Sequence, residues 1–427
     1  MTDPLAFLFG LERLGMKFGL ENMRALCAAL DHPEQRFAPV IIGGTNGKGS
    51  VAAMTSAALH AAGHRVGRYT SPHLERIEER FVVLEREVAT TDLRAAAGTV
   101  QHAVERLIED GTLVGPPTFF ECATAIAFEL FRRSEVAIGV LEVGLGGRLD
   151  ATNVVSPIAA AITSIDFDHQ AQLGHDLGSI AFEKAGIIKP GVPVVCGPLP
   201  PEADAVIAEA CRTRGATLIR AADDVRFEPG VVAGGAVVDL RSPAHDLRGV
   251  PLALQGRHQV DNAAVAVRML ETLNDRGFPV SAAAIRSGLT AAHWPARLEH
   301  LTWRGASVLL DAAHNPAGAR ALASYHQDSG WQGATLVFGA MRDKDVAGIL
   351  TPLVPLVGRI ICTTADSPRA MAAADLGVIA RGLRSAGAPI DVVPEPRAAA
   401  DAACRPGERV VIAGSIFLVG PLRGILR

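Results

Sequence analysis

The chain has 427 residues, and at roughly 150 residues per domain this length predicts two or three domains. Lysine and arginine together number 41 against 45 aspartates and glutamates, so the net charge is −4, and no basic block indicates a nucleic-acid partner. With 49% hydrophobic and 20% charged residues, the composition is that of a folded globular protein and excludes a disordered chain.

The N-terminal segment lacks the features of a secretory signal. Asp3 stands where such a signal is basic, and Glu12 and Arg13 interrupt the first apolar run. No stretch reaches the roughly 18 consecutive apolar residues that a membrane-spanning helix needs. The six cysteines form neither a C-x-x-C pair nor a zinc-type cluster with histidine. We therefore expect a cytoplasmic location, no membrane association and reduced, structural cysteines.

Short β-branched or aliphatic runs alternate along the chain with longer Ala- and Leu-rich stretches of helical period, which is typical of a parallel sheet flanked by helices. The predicted strands of the first part are Val40–Ile42, Val66–Tyr69, Val136–Val143, Ile158–Ile165 and Val192–Cys196. The predicted helices include Ser50–Ala62, Thr91–Glu109, Phe120–Arg132 and Asn262–Leu273. After a proline-interrupted stretch around Pro295, the alternation restarts with strands at Ala306–Leu310, Ala334–Phe338, Val357–Thr363 and Val410–Ala413. The predicted fold class is therefore α/β, with domains at 1–294 and 295–427.

The segment Gly43–Ser50, called the phosphate loop below, follows a predicted strand and opens a predicted helix. Its glycines allow backbone N–H groups to converge on phosphate oxygens, and Lys48 can reach the outer phosphates. The Ser50 hydroxyl is then placed to bind Mg²⁺. The strict G-x-x-x-x-G-K-[ST] pattern fails, because Gly49 separates Lys48 from Ser50 and residue 42 is not glycine. We predict a variant nucleotide-triphosphate site, with a ligand-free glycine-rich turn as the alternative.

Carboxylates beyond the C-terminal ends of strands are the natural ligands for the metal of a bound triphosphate. Glu142 follows an aliphatic strand and is a candidate Mg²⁺ ligand, with a structural ion pair as the alternative. The next residues, Gly144–Arg148, lack the glycine at position 149 that a dinucleotide fingerprint requires. A Rossmann dehydrogenase is therefore disfavoured.

Two further segments carry candidate residues. The strand that ends at Ile165 leads into Asp166-Phe167-Asp168-His169, so His169 is a second candidate metal ligand, with a hydrogen-bonded loop histidine as the alternative. Ser179–Gly186 is predicted to form a short helix closed by glycine. The ordinary interpretation of Lys184 is a lysine placed favourably near that helix C-terminus.

Taken together, these motifs resemble one family. The stretch Gly44–Ser50 is similar to the loop of the ATP-dependent amide ligases related to the muramyl ligases, and Thr70–Leu74 resembles the folylpolyglutamate synthases and dihydrofolate synthases among them. Other matching segments occur in the family's order across nearly the whole chain: Phe120-Glu121, Leu141–Asn153, Asp168-His169, Glu183–Ile187, His258-Gln259 with Asn262, and His314-Asn315-Pro316.

The resemblance implies a P-loop-type ATPase domain with a mostly parallel sheet and a smaller Rossmann-like C-terminal domain, with the active site in the cleft between them. It implies ATP contacts from Thr45, Asn46, Gly47, Lys48, Gly49, Ser50, Asn262, Arg297 and Asp311. It implies magnesium ions on Ser50, Glu142, His169 and a carbamylated Lys184, and catalytic roles for Lys48, His169, Lys184 and His314. It implies contacts to a pterin substrate from Thr70, Ser71, Pro72, His73, Arg80 and Phe120.

The implied activity is an ATP- and Mg²⁺-dependent ligation of L-glutamate, through its amine, to a carboxylate of dihydropteroate, a reduced folate or both. Because an anionic amino acid needs cations and donors, we expect glutamate to bind the C-terminal domain at Lys344, Arg369, His314 and Ser415. The alternative for each of these is an exposed surface residue. The expected partners are small molecules, and we expect a monomer.

Two positions depart from the family's pattern. Ala312 replaces the glycine after Asp311, which affects the placement of Asp311 and His314, and Glu85-Arg86-Glu87 lacks the expected hairpin glycine. Two rival functions remain. A P-loop nucleotide switch would need an N-K-x-D motif that the sequence lacks, and a muramyl ligase would need a uridine-binding region before the phosphate loop.

Overall fold

The computed structural model describes residues 3–15, 17, 19–232, 235–383 and 389–427. The chain forms two compact units. The first comprises Met1–Ile165, Leu173–Ala253 and Asp261–His293, and the second comprises Asp166–Gln172, Leu254–Val260 and Trp294–Arg427.

The large sheet of the first unit has eight strands, of which six pair in parallel and two, β3 and β4, extend one edge by antiparallel pairing. Its strands are β1 Ala38–Gly43, β2 Val66–Tyr69, β3 Phe81–Val83, β4 Arg86–Glu87, β5 Ile138–Glu142, β6 Ala159–Ile162, β7 Val194–Cys196 and β8 Leu218–Arg220. Their order is β4-β3-β2-β5-β1-β6-β7-β8. Strands β5, β6 and β7 are buried along their whole length, as expected for a parallel sheet covered on both faces.

The first unit also holds an antiparallel sheet in the order β11-β10-β9, built from β9 Arg226–Val232, β10 Gly235–Arg241 and β11 Asp246–Pro251. The second unit has one six-stranded sheet, in which β12 pairs antiparallel and the other strands are parallel. Its order is β12-β13-β17-β14-β15-β16, with β12 Glu299–Trp303, β13 Ala306–Asp311, β14 Thr335–Phe338, β15 Arg359–Cys362, β16 Ile390–Val392 and β17 Arg409–Ala413.

The α-helices are α1 Pro4–Gly10, α2 Glu21–Ala29, α3 Lys48–Ala61, α4 Thr90–Glu109, α5 Phe119–Arg133, α6 Gln170–Leu173, α7 Leu177–Ala185, α8 Pro201–Arg214, α9 Ala221–Asp224, α10 Arg257–Asn274, α11 Ala282–Ala291, α12 Pro316–Ser329, α13 Val346–Leu350, α14 Ala373–Leu383, α15 Pro396–Ala403 and α16 Ile416–Leu426. No helix in the described part of the chain combines the length and apolarity needed to cross a membrane. The six cysteines are buried and none is in a disulfide.

The predicted α/β class is confirmed, and a strand occupies every segment where the sequence predicts one. The antiparallel sheet β9–β11 and strands β3, β4, β8, β12 and β16 were not predicted. These strands are short, or their apolar and polar residues alternate only weakly. They therefore lack the long aliphatic runs from which the other strands were predicted.

The two units are not contiguous in sequence, so a single boundary between residues 294 and 295 does not describe them. The prediction placed Asp166–Gln172 and Leu254–Val260 in the first domain, whereas both stretches group with the second unit. Both stretches also form side-chain bonds to α12 of that unit. Asp166 pairs with Arg320 at 2.6 Å, and Gln255 accepts a 2.6 Å hydrogen bond from the Tyr325 hydroxyl.

Candidate functional site

The phosphate loop is fastened by its backbone to the segment that follows β6. The Thr45 N–H donates to the Ser164 carbonyl at 2.7 Å, and the Asn46 N–H donates to the Ser164 hydroxyl at 3.0 Å. The Asn46 carbonyl accepts in turn from the Thr163 hydroxyl at 2.6 Å. Residues 163 and 164, which sequence reasoning missed, therefore hold the loop in shape. Their signal in the sequence is a pair of hydroxyl residues directly after a buried strand.

Two glycines of the loop are required by their conformation and by close neighbours. Gly44 and Gly47 have φ angles of 141° and 87°, in the region that side chains rarely adopt. A Cβ at Gly44 would also collide with the Thr163 hydroxyl, and one at Gly47 with the Asn262 side chain. The predicted ATP residue Asn262 therefore lies directly against the loop.

Two lysine ammonium groups meet at one carbonyl of the loop. The Lys48 Nζ donates to the Gly44 and Thr45 carbonyls at 3.2 and 3.1 Å, and the Lys184 Nζ donates to the Gly44 carbonyl at 2.8 Å. Lys48 is half-buried and Lys184 is 4% exposed. Lys184 lies in the last turn of α7, as the ordinary interpretation expects, and in addition it is buried against the phosphate loop. Two positive charges beside backbone N–H groups at a helix start make this end of the sheet suited to an anion.

The arrangement of Lys184 depends on a clamp between α7 and the loop that follows β5. Arg148 and Glu183 bond side chain to side chain at 2.8 Å, and the Arg148 N–H donates to the Glu183 carbonyl at 2.8 Å. Gly186 permits this approach, because a Cβ there would collide with the Arg148 backbone. The clamp fixes the end of α7 and therefore the lysine that it carries.

Two predicted metal ligands of the first unit, Ser50 and Glu142, are oxygen donors that lie just beyond β1 or at the end of β5, its parallel neighbour. Ser50 lies in the first turn of α3 and is 2% exposed. Glu142 ends β5, pairs in register with Ile42 of β1, and accepts the Ser71 N–H at 3.1 Å. Such hard oxygen donors suit Mg²⁺, which commonly uses one or two carboxylates together with substrate phosphates. Within the described residues, no group of three or more His, Cys, Asp or Glu side chains could hold a metal ion.

The residues predicted to bind the pterin lie around one buried arginine. The Arg80 Nε donates to the His73 Nδ1 at 2.8 Å, and the guanidinium lies 5.1 Å from the centre of the Phe119 ring. Phe120 lies beside Tyr69 with ring centres 6.1 Å apart. Burial, together with the Arg80 charge, lowers the pKa of His73 to about 4, so the imidazole is neutral near pH 7.

The segment that contains the remaining residues of this group is Thr70-Ser71-Pro72, in which the bond before Pro72 is cis. The Thr70 N–H donates to the Arg80 carbonyl at 3.0 Å. Thr70 and His73, two of the predicted pterin residues, are thus both bonded to Arg80 in the first unit.

In the second unit, several of the remaining predicted site residues lie around one buried carboxylate, that of Asp168. This Asp168 cluster consists of Asp168, His169, His314, Asn315 and Lys344. The Asp168 carboxylate accepts from Lys344 Nζ at 2.5 Å and from Asn315 Nδ2 at 3.0 Å, and it lies 3.5 Å from His314 Nε2. It also accepts the His169 N–H at 2.8 Å. Burial alone would raise the pKa of Asp168, but the His314 bond and the Lys344 charge outweigh it and hold that pKa well below its usual range.

Asp168 belongs to one of the family-like motifs of the sequence but was not predicted as a site residue. Its role depends on contacts with residues that are distant in the sequence. Lys344, predicted to bind glutamate, is only 11% exposed at its side chain and is already paired with this carboxylate. Arg369 is 61% exposed, with its nearest carboxylate, Asp343, at 3.7 Å. Ser415 is 2% exposed and caps α16 by accepting the Phe417 N–H at 3.2 Å. The glutamate candidates thus differ widely in burial.

Asp311 and Arg297 are linked through the backbone. The Asp311 carboxylate accepts the N–H groups of Leu298 and Ala313 at 3.0 and 2.8 Å. Leu298 follows Arg297 directly, so Asp311 anchors the turn that carries this arginine. Ala312, which replaces the expected glycine, is buried and also bonds to that turn, its N–H donating to the Ala296 carbonyl at 2.9 Å.

Comparisons with known proteins agree with these motifs. Residues 296–416 match the family described as "Mur ligase, glutamate ligase domain". The chain is 36% identical over 378 residues to the dihydrofolate synthase/folylpolyglutamate synthase of Bacillus subtilis, covering 88% of this chain and 87% of that protein.

Two solved structures are similar over nearly the full length. The folylpolyglutamate synthase of Mycobacterium tuberculosis complexed with ADP has a TM-score of 0.92 and 31% identity, covering 99% of each chain. The structure of Escherichia coli FolC in complex with DHPP and ADP has a TM-score of 0.86 and 30% identity, covering 99% of this chain and 97% of the other.

Proposed function

We propose that this chain, which belongs to the family of folylpolyglutamate synthases and dihydrofolate synthases, uses ATP to join L-glutamate to a carboxylate of a pterin substrate. It is an ATP-dependent carboxylate–amine ligase. The observation that carries the proposal is the phosphate loop, where the side chains of Lys48 and Lys184 both bond to the Gly44 carbonyl. The rival functions, a muramyl-type ligase and a nucleotide switch, have no comparable support, because the similar proteins are named for folate synthesis.

The chemistry must bring a carboxylate to a triphosphate although both are anions. We assign Lys48 and Arg297 to the transferring phosphoryl group, where their charges offset that repulsion. A substrate carboxylate oxygen attacks the γ-phosphorus, the bond to ADP breaks, and an acyl phosphate forms. The neutral amine of glutamate then attacks the acyl carbon, losing a proton as phosphate leaves. Thr45, Asn46, Gly47, Gly49, Asn262 and Asp311 are the proposed further contacts to ATP.

Ser50, Glu142, His169 and Lys184 are the proposed ligands of Mg²⁺. When bound, the ion neutralises charge on the triphosphate. An ammonium would repel Mg²⁺, so Lys184 qualifies only as a carbamate, formed when its neutral amine adds CO₂ and loses a proton. Its burial and its contact with the loop support this proposal. Lys184→Ala should lose activity and partly regain it with short-chain carboxylates. A bare amine beside an occupied Mg²⁺ site in a high-resolution map would contradict carbamylation.

For glutamate we propose His314 and Ser415 as the principal contacts, with Lys344 and Arg369 contributing positive charge. Substitution of a true ligand raises the KM for glutamate with less effect on the KM for ATP. His314→Ala and Ser415→Ala should each show this split. Glu395→Ala is the matched control, because Glu395 caps α15 as Ser415 caps α16 but lies outside the proposed site. An unchanged glutamate KM in both site variants would refute the assignment.

The pterin part of the substrate is assigned to Thr70, Ser71, Pro72, His73, Arg80 and Phe120, where aromatic rings lie beside a buried guanidinium. The deciding experiment is ATP-dependent incorporation of labelled glutamate, run in parallel with dihydropteroate and with tetrahydrofolate. We expect incorporation with at least one of them, and the pattern shows whether the enzyme has one activity or two. No incorporation with either would overturn the proposed function. A cytoplasmic location and a monomeric state remain predictions from the sequence.

A further inference from the structure

The turn that carries Arg297 has an unusual backbone. The residues on either side of it, Ala296 and Leu298, have φ angles of 54° and 49°. Residues other than glycine rarely adopt this left-handed region, and they stay there only when the surrounding structure holds them. Both flanking residues are buried, whereas Arg297 itself is half-buried. The strained turn therefore presents a single arginine.

Three hydrogen bonds hold this turn, and they come from two sources. Two come from the end of β13, where the Asp311 carboxylate accepts the Leu298 N–H at 3.0 Å and the Ala312 N–H donates to the Ala296 carbonyl at 2.9 Å. The third comes from β12, where the Glu299 Oε2 accepts the Ala296 N–H at 2.8 Å. The third bond is the one that depends on a side chain with no role in the proposed site.

The same oxygen of Glu299 is paired with a residue near the end of the chain. The Arg423 Nε of α16 donates to Glu299 Oε2 at 2.7 Å. The Arg423 side chain is 5% exposed and the Glu299 side chain is 15% exposed, so the ion pair is largely shielded from water. A carboxylate held by a buried guanidinium keeps one orientation. The Ala296 N–H therefore meets a fixed acceptor.

We propose that Glu299 and Arg423 are positioning residues for Arg297, acting through the backbone of its turn rather than on ATP. The inference rests on the proposed function, because the role of Arg297 in phosphoryl transfer belongs to that proposal. Arg423 fixes Glu299, Glu299 fixes the Ala296 N–H, and the turn then keeps the arginine at one place. A small misplacement of a catalytic cation is costly, since about 1 Å can lower a rate by about 100-fold.

The first test measures the turn itself, independently of activity. We would compare hydrogen–deuterium exchange of the peptide 294–300 in the unaltered protein, Arg423→Met, Glu299→Ala and Arg359→Met. Arg359 forms a 2.7 Å ion pair with Asp391 in the same unit and is the matched control. We expect exchange in this peptide to rise about tenfold in the first two variants and to stay unchanged in the control, because local opening follows the lost bonds. Unchanged exchange in both variants, or an equal rise in every peptide, would overturn the inference.

The second test is a kinetic double-mutant cycle between Arg423→Met and Arg297→Ala. In the unaltered background Arg423→Met should lower kcat by about 10- to 100-fold, as expected for a misplaced catalytic group. In the Arg297→Ala background it should lower kcat no further, because the group that it positions is absent. Arg423→Lys should restore part of the rate. An equal loss of kcat in both backgrounds would overturn the inference.

The two tests also separate this inference from the proposed function. If Arg297→Ala alone kept normal kcat, the role assigned to Arg297 in phosphoryl transfer would fail. Faster exchange of the 294–300 peptide in Arg423→Met would still support the positioning of the turn, and unchanged exchange would refute it.

Discussion

The phosphate loop and the Asp168 cluster hold their functional groups by different means. The loop is built from backbone: glycine conformations, N–H groups and carbonyls define it, and the lysines bond to its carbonyl oxygens. The Asp168 cluster is built from side chains around one buried carboxylate. The first site should therefore be sensitive to added side-chain volume, and the second to removal of a single charge.

The largest effect is expected for Lys48→Ala. Lys48 is the proposed clamp on the transferring phosphate, and such groups contribute several kcal/mol to the transition state. We predict a fall in kcat of about 10³-fold or more with an unchanged far-ultraviolet circular dichroism spectrum. Lys189→Ala, which removes a half-buried lysine bonded to the Asn153 carbonyl, is the control. Near-normal turnover in folded Lys48→Ala would contradict the catalytic role that we assign to the phosphate loop.

Asp168→Asn tests the side-chain site. It leaves the Lys344 ammonium, 11% exposed at its side chain, without its carboxylate. Removing one partner of a buried pair costs about 3–5 kcal/mol, so urea denaturation should show a loss of this size. Asp166→Asn is the matched control, because its pair with Arg320 is more exposed, and it should cost less than about 1 kcal/mol. Equal losses for the two variants would show that Asp168 does not organise a buried cluster.

Gly47→Ala tests the backbone site against a control with the same conformation. Gly47 and Gly63 have similar φ angles, 87° and 89°. A Cβ added at Gly47 would collide with the Asn262 side chain, whereas a Cβ added at Gly63 would meet no atom within 4 Å. Either alanine should cost about 1–2 kcal/mol of stability through left-handed strain. Only Gly47→Ala should also raise the KM for ATP, by about tenfold, because the loop or Asn262 must move. Matching ATP kinetics in the two variants would contradict the close packing of the loop.

The smallest effect concerns His73. Its folded-state pKa of about 4 lies below the unfolded value of about 6.5, so the unfolded chain binds more protons between these values. The stabilisation is complete above about pH 6.5 and is lost as the pH falls toward 4. In His73→Gln the free energy of unfolding should depend less on pH across this window, while exposed His60→Gln should match the unaltered protein. An identical pH dependence in His73→Gln would show that burial and the Arg80 charge do not hold His73 neutral.

The difference between the two regions also explains what the sequence could predict. The phosphate loop is formed by residues that are close together in the sequence. Its order of strand, glycines, lysine and helix can therefore be recognised within about a dozen residues. The pair between Asp168 and Lys344 joins residues 176 positions apart, and no periodicity reports such a contact. The same holds for Glu299 and Arg423, which are 124 positions apart. The grouping of Asp166–Gln172 with the second unit likewise depends on proximity to residues that are far away in the sequence.

Isotope transfer tests the central claim, an ATP-dependent ligation through an acyl phosphate, most directly. The reaction would be run with a pterin substrate whose carboxylate carries ¹⁸O, in unlabelled water with unlabelled ATP, and the released phosphate analysed by mass spectrometry. The account predicts that each phosphate released with the amide product carries one ¹⁸O, because the attacking carboxylate oxygen leaves with the phosphoryl group. Amide product accompanied by unlabelled phosphate would contradict it.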